Sequence, residues 1–275
     1  MPDIVIHGIA AAAYLVLAWH FWNTRWRAAA PAPRRISPAW ERAAILVPLA
    51  LHAAALYPEI FAARGLRFGF AQALSVMMFL AVAMCWIEGF FFPVDALYFI
   101  ALFAAALCAP LPAFFAGHVS PDAVSFEFRL HLVAGMLAYS LFTVAMLHAL
   151  LIARVENRLH EAAERLDGPL GRLPPLLSLE RLVFALIGAA FAVLTVTMAL
   201  GIAYSESFTG RPMRVEHKTV FVVLSWLIFG LLLAGRWRYG WRGRTALRWT
   251  VSGFVALMLA YPGSRFVLEV LLHRA

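Results

Sequence analysis

The sequence predicts an all-α protein, a polytopic integral membrane helix bundle of about eight transmembrane helices with both termini outside. Three observations carry this expectation. Of 275 residues, 63% are hydrophobic and 14% charged, with a mean hydropathy of +0.80, whereas soluble domains are about half apolar and a quarter charged. The apolar residues come in runs of roughly 17 to 25, the length that crosses a ~30 Å hydrocarbon core at 1.5 Å per helical residue. The basic residues concentrate in alternate connections, as the positive-inside rule requires.

In chain order, the spans are expected over 4–22, 43–61, 70–91, 96–115, 130–153, 182–203, 219–235 and 247–261. The first lacks a basic leader region and is read as a true span, not a cleaved signal. The fourth is interrupted near its end by Pro110 and Pro112, which strip the helix of two N–H donors. Residues 28–41 form a Pro/Ala linker, expected to be cytoplasmic. Residues 154–180 form a second cytoplasmic connection, a mixed-charge helical extension followed by a Pro-rich return, with Ser178 as a partial helix start. After the eighth run, Pro262 and Gly263 open an external C-terminal segment, 262–275. It either continues the span past a kink or lies along the outer surface as an amphipathic helix. The whole of 1–275 is read as a single transmembrane domain without repeats or a soluble catalytic domain.

The net charge of +8 follows this topology. Fifteen of the 23 Lys and Arg residues fall in three connections: Arg25, Arg27, Arg34, Arg35 and Arg42; Arg154, Arg158, Arg165, Arg172 and Arg181; Arg236, Arg238, Arg242, Arg244 and Arg248. These connections are expected inside, which puts both termini in the periplasm of a bacterial inner (cytoplasmic) membrane protein. The partner that this basicity implies is the lipid bilayer, not nucleic acid. Trp19, Trp22, Trp26, Trp237, Trp241 and Trp249 cluster at the same inner boundary, as an aromatic belt does. Cys85 and Cys108 fall in different spans at opposite ends, so no disulfide and no thiol redox chemistry is expected.

Histidine is the informative residue, because an imidazole in or near a bilayer is costly unless paired or ligating. His7, His118, His131, His217 and His273 fall at or near the outer face, His52 near the middle, and His20, His148 and His160 toward the inside. His131 lies in FRLHLVAGMLAYS, followed by Gly135 and Tyr139 at i+4 and i+8. That places a ligand nitrogen, bare backbone and an aromatic ring on one stripe, with Arg129 nearby to meet a carboxylate. The competing reading is an interfacial histidine bonded to a neighbouring helix, with Gly135 serving helix packing. His217 opens the seventh span beside Lys218, either as a ligand or as a snorkelling interfacial side chain. His273 is two residues from the end. Glu88, inside an apolar run, is either an interfacial carboxylate or part of a proton path with His52. No Walker loop, HExxH motif or serine nucleophile elbow is present, and no enzymatic activity is expected.

Two segments, RLHLVAGMLAYSLFTVAMLHALL and the stretch from HKTVFVVLSW to AYPGSRFV, resemble the membrane-integral cytochrome c assembly family of the CcsA and CcmC type. The likeness is greatest to its eight-helix YpjD-like or HemX-like branch. The resemblance covers most of the chain and is most specific from Phe128 onward. It implies haem ligation by two external histidines flanking a tryptophan-rich loop. His131 falls at the first position and His273 near the second, with His217 and Lys218 where the tryptophan motif ends. On this implication the cofactor is a non-covalent b-type haem, ligated by His131 and His273 or His217. Arg129, Lys218 and Arg265 are candidate propionate contacts, and Gly135 and Tyr139 lie beside the site. The sequence departs from the family pattern in one respect. Residues 203–218, AYSESFTGRPMRVEHK, contain no tryptophan, so haem lyase activity is not implied. The expected function is haem handling that assists cytochrome c assembly or haem homeostasis. Two alternatives stay open: a non-enzymatic scaffold or regulatory subunit of a transporter or ion-efflux partner, and a small-solute transporter built on Glu88 and His52.

Overall fold

The computed structural model describes residues 2–26, 37–62, 65–92, 95–120, 125–161, 176–204 and 217–272. Its helices are α1 (Pro2–Phe21, prolonged by a π turn at Trp22–Trp26), α2 (Pro38–Ile60), α3 (Phe70–Glu88), α4 (Asp95–Cys108), the short α5 (Leu111–Phe114), α6 (Phe126–Glu161), α7 (Leu176–Ala203), α8 (His217–Tyr239) and α9 (Gly243–Met258). Eight stretches are long and apolar enough to cross a membrane, as the sequence predicts. The strands among the described residues are short: β1 (Phe61–Ala62), β2 (Gly65–Phe68) and β3 (His118–Ser120), antiparallel in the order β1-β2-β3. They join the ends of α2, α3, α5 and α6 on one side of the bundle, called here the sheet side. The opposite side carries Arg25, Arg42, Arg236 and Arg242 and is called the arginine side.

Helix ends differ from the hydropathic runs for local reasons. Ser37 caps α2 by accepting Trp40 N at 3.4 Å, and Pro38 occupies the first helical position, where its missing N–H costs nothing. The linker expected over 28–41 is therefore shorter, and 27–36 lies outside the described residues. Ser125 Oγ accepts Phe128 N at 3.2 Å and starts α6 a full turn before its apolar stretch. At the other end α6 runs on to Glu161, and α7 already begins at Leu176, so the connection expected over 154–180 narrows to 162–175, outside the described residues. The fourth span breaks where Pro110 and Pro112 require it, between α4 and α5.

The segment after Pro262 remains helical. Beyond α9 come a π turn (Leu259–Gly263), one α turn (Ser264–Phe266) and a second π turn (Val267–Leu271), together called the tail. Proline has no N–H to give the carbonyl four residues back, and the wider i→i+5 spacing lets the ladder resume beyond it. Of the two alternatives for this segment, continuation of the span is the one observed.

The spans pack as two rings of four. In the first, α1 packs on α2 and α4, and α3 closes the ring against both; in the second, α6, α7, α8 and α9 follow one another round and α9 returns to α6. The rings meet along α3 and α6. These two are the central helices: 72% of the most apolar window of the α6 span and 56% of that of α3 are buried, against 22–44% for the other six.

Lipid offers helices no hydrophobic drive to associate, so close packing and polar cross-links hold such a bundle. Ser140 Oγ donates to Met77 O at 3.2 Å across the seam between the rings. In the first ring one imidazole joins three helices, His52 meeting Tyr14 of α1 at 3.2 Å and Ser75 of α3 at 2.8 Å. In the second, Phe142 and Phe229 stack with centroids 3.9 Å apart, and Ser225 Oγ donates to Gly253 O at 2.9 Å. A Cβ on Gly253 would stand 2.8 Å from the Phe229 ring, so glycine is what lets α8 and α9 approach this closely. On the arginine side each ring has an Arg–Glu lock. Arg25 reaches Glu41 at 2.5 Å and Asp95 at 3.3 Å, and Arg236 stands 3.8 Å from Glu180.

Candidate functional site

The sheet side gathers the features around His131. Starting α6 at Ser125 puts His131 about one turn into the helix, on the face toward α7. There its Nδ1 donates to Thr197 O at 3.0 Å. Gly201, one turn further along α7, leaves room for the ring: a Cβ at that position would stand 3.1 Å from His131 Cε1 and 3.5 Å from Nδ1. The half-buried imidazole thus lies against a bare patch of α7 with one nitrogen engaged by a backbone carbonyl. Ligating histidines are commonly oriented in this way, since a bond from one ring nitrogen fixes the tautomer and presents the other.

Gly135 and Tyr139 share the i, i+4, i+8 stripe by spacing, yet they face different neighbours. A Cβ on Gly135 would meet Thr197 Cγ2 at 3.6 Å, an ordinary van der Waals contact. Gly135 therefore belongs to the packing of α6 on α7, the competing reading of that residue. Tyr139 is buried, and its hydroxyl donates to Leu257 O at 2.8 Å, just before the π turn in α9. Its hydroxyl is a strut between α6 and α9. The correction has a geometric cause: four residues advance a helix by 400°, so the stripe drifts by about 40° per step and passes from α7 to α9.

The other expected site residues occupy the same side on separate elements. His217 and Lys218 are exposed at the first two positions of α8, and Arg129 is exposed in the first turn of α6. Arg265, in the tail, lies over the Tyr261 ring at 5.8 Å and 4.0 Å from Glu269 Oε1. His273 lies outside the described residues, as does most of the tryptophan-free loop, 205–216. Among the described residues, no three of His, Cys, Asp and Glu cluster to hold a metal ion, and both cysteines are free thiols.

The proposed partners of a proton path are apart. Both nitrogens of His52 are engaged inside the first ring, whereas Glu88 lies at the arginine end of α3, 3.5 Å from His148 Nε2 across the seam.

Sequence reasoning missed Gly201 and the Thr197 carbonyl, because a backbone acceptor carries no residue signature. It also passed over His118, which the structure brings to 3.6 Å from Glu269.

Comparison with known proteins places the chain in a family. A family model described as cytochrome C assembly protein matches residues 40–272. An uncharacterized 28.8 kDa protein of Azospirillum brasilense is 38% identical over 144 residues, 52% of each chain. The inner membrane protein YpjD of Escherichia coli K12 is 30% identical over 141 residues, 51% of this chain and 52% of YpjD. The cytochrome c biogenesis protein CcsA of Gloeobacter violaceus is 29% identical over 92 residues, 34% of this chain and 27% of CcsA. The chain thus spans about half the length of the first of these relatives. No solved structure matches.

Proposed function

The chain belongs to the cytochrome c assembly protein family, and on that premise we propose that it binds haem on its sheet side and so assists cytochrome c biogenesis or haem homeostasis. The single observation that carries this reading is His131, whose Nδ1 is held on Thr197 O above the bare backbone of Gly201. The donor set fits a non-covalent b-type haem. An imidazole oriented through one nitrogen by a backbone carbonyl is the arrangement common among ligating histidines, and the glycine removes a side chain from beneath the ring. When bound, haem would supply an iron centre that takes imidazole nitrogen and a pair of carboxylates that seek cations.

In this reading His131 would hold the iron together with His273 or His217. Arg129 and Lys218 meet the propionates. Arg265 is assigned first to Tyr261 and Glu269, and Gly135 and Tyr139 act through helix packing alone. The protein is non-enzymatic: its work is to hold haem at the membrane surface for a partner. The name of the inner membrane protein YpjD supports the same membrane for this chain. Arginine bias supports the sheet side and both termini in the periplasm.

The test is the absorption spectrum of the purified protein after haem-replete expression. A bis-histidine Soret band that weakens in His131→Ala is expected. Normal haem content in the triple substitution of His131, His217 and His273 would refute the reading.

A further inference from the structure

Three side chains from distant parts of the chain meet on the sheet side without satisfying one another. Gln72, fully buried in the first turn of α3, spends Nε2 on Phe115 O at 3.1 Å, and its Oε1 is buried with no hydrogen-bond partner. Glu269, in the tail, has a side chain only 9% exposed. It accepts Phe70 N on Oε2 at 3.3 Å, while Oε1 lacks a hydrogen bond. Within 4.0 Å of Oε1 lie His118 Nε2 at 3.6 Å and Arg265 Nη1 at 4.0 Å. His118 Nε2, at the start of β3, is likewise buried and without a hydrogen bond.

Two glycines keep backbone bare around this meeting point. A Cβ on Gly69 would stand 2.8 and 3.0 Å from the Glu269 oxygens and 3.1 Å from Gln72 Oε1, and one on Gly117 would stand 2.6 Å from Gln72 Oε1. The amide oxygen and the carboxylate thus both lie against the bare backbone of Gly69, and Gly117 leaves space for the amide oxygen.

A neutral imidazole nitrogen, a carboxylate oxygen and an amide oxygen are all lone-pair donors. A buried polar group left unsatisfied costs about 1–3 kcal/mol, so the cluster calls for a guest that is positive or rich in hydrogens. A cation held by Glu269 would have His118 Nε2 3.6 Å from the same carboxylate oxygen and Gln72 Oε1 against the same Gly69 backbone, whereas a water has two hydrogens to offer. The 3.6 Å between His118 Nε2 and Glu269 Oε1 is close to the ~3.4 Å edge of a tetrahedron with metal–ligand bonds of about 2.0–2.1 Å. Imidazole with carboxylate is the ligand pair of zinc and its first-row neighbours.

We propose that His118, Glu269 and Gln72 form a site for a divalent transition-metal ion of the zinc class, separate from His131. His118 is part-exposed at 28% of its side chain, which gives the ion an entry from the surface. Bound there, the ion would fasten the tail to α3 and to the sheet. Arg265 is the resident competitor, a cation 4.0 Å from the same carboxylate oxygen, and its removal therefore favours the metal.

Full-length protein in detergent, free of haem and stripped by chelator, is titrated with Zn²⁺ by calorimetry. One equivalent should bind. His118→Ala and Glu269→Gln should each weaken binding by about 100-fold or more, beyond the 10–100-fold typical of outer-shell losses. Arg265→Gln should tighten it several-fold, an opposite sign that misfolding cannot imitate. The His131→Ala protein, and the double variant lacking His217 and His273, should bind as the parent does, which separates this site from the haem reading. If the stripped parent takes up no zinc, or His118→Ala and Glu269→Gln bind it unchanged, or Arg265→Gln binds it more weakly, the cluster holds a bridging water and the proposal fails.

Discussion

Gly201→Ala sets two effects of similar size against each other. Alanine is favoured over glycine by about 0.8–1.0 kcal/mol in a helix interior, an upper bound for Gly201 in the last turn of α7, so helix propensity alone favours the variant. At the site the sign reverses. The added methyl would stand 3.1 Å from His131 Cε1 and 3.5 Å from Nδ1. A carbon–carbon contact normally sits at about 3.5–4.0 Å, so the ring must retreat by a few tenths of an ångström and stretch the 3.0 Å bond to Thr197 O. Losing that bond costs about 0.5–1.5 kcal/mol. A loss near 1 kcal/mol is about a fivefold weakening of haem binding. Haem titration followed at the Soret band measures one quantity, and thermal unfolding in detergent the other. The expected result is weaker haem binding in a protein whose stability stays within about 1 kcal/mol of the parent's, because the helix-propensity gain and the lost hydrogen bond nearly offset each other. In a His131→Ala background, Gly201→Ala should change haem affinity no further. Unchanged affinity in the single variant, or an equal loss in both backgrounds, would refute the anchoring role of this contact.

Three further outcomes are expected. Tyr139→Phe removes the 2.8 Å bond to Leu257 O and should lower stability by about 0.5–1.5 kcal/mol while leaving the haem spectrum unchanged, since the hydroxyl is a strut. Arg25→Met takes the guanidinium from Glu41, only 8% exposed, and leaves it His20 Nε2 at 3.0 Å; it should cost less than the ~3–5 kcal/mol of a fully stranded buried charge, and Arg25→Met with Glu41→Leu should recover part of the loss in a thermal melt. Single-cysteine labelling in a background with Cys85 and Cys108 replaced by alanine tests orientation: Ser125→Cys should react with an impermeant maleimide in intact spheroplasts and Ser37→Cys only after permeabilisation. The reverse pattern would overturn the periplasmic placement of the sheet side.

The helix count was legible because run length measures the bilayer directly, and eight runs became eight spans. The ends were less so. Phe126 to Arg129 and 154–161 are helical through capping and continuation, which hydropathy does not register. Pro262 left two outcomes open, because a proline announces a broken bond without saying whether a π turn will bridge it. At the site, His131 stood out by its residue type in an apolar setting. Gly201 did not, because glycine in an α7 full of small residues says nothing of the imidazole that needs its space. Gly135 and Tyr139 were read as one wall since i+4 spacing suggests a common face, and the 40° drift accumulates unseen. Contacts such as that of Glu269 with Phe70, 199 positions away, have no trace in local pattern at all.

The π turn at Leu259–Gly263 acts on the rest of the chain as a phase shifter. One extra residue accommodated in a turn displaces everything after it by one helical position, about 100° of azimuth. The stripe that α9 points at α6 and α8 is thereby retired, and a different stripe, bearing Phe266 and Glu269, swings round to meet Phe70 at the head of α3. Residues before and after Pro262 therefore follow two separate helical wheels. A single-residue deletion within the turn, which leaves every side chain on the tail chemically intact, would rotate them all away from the partners they now meet.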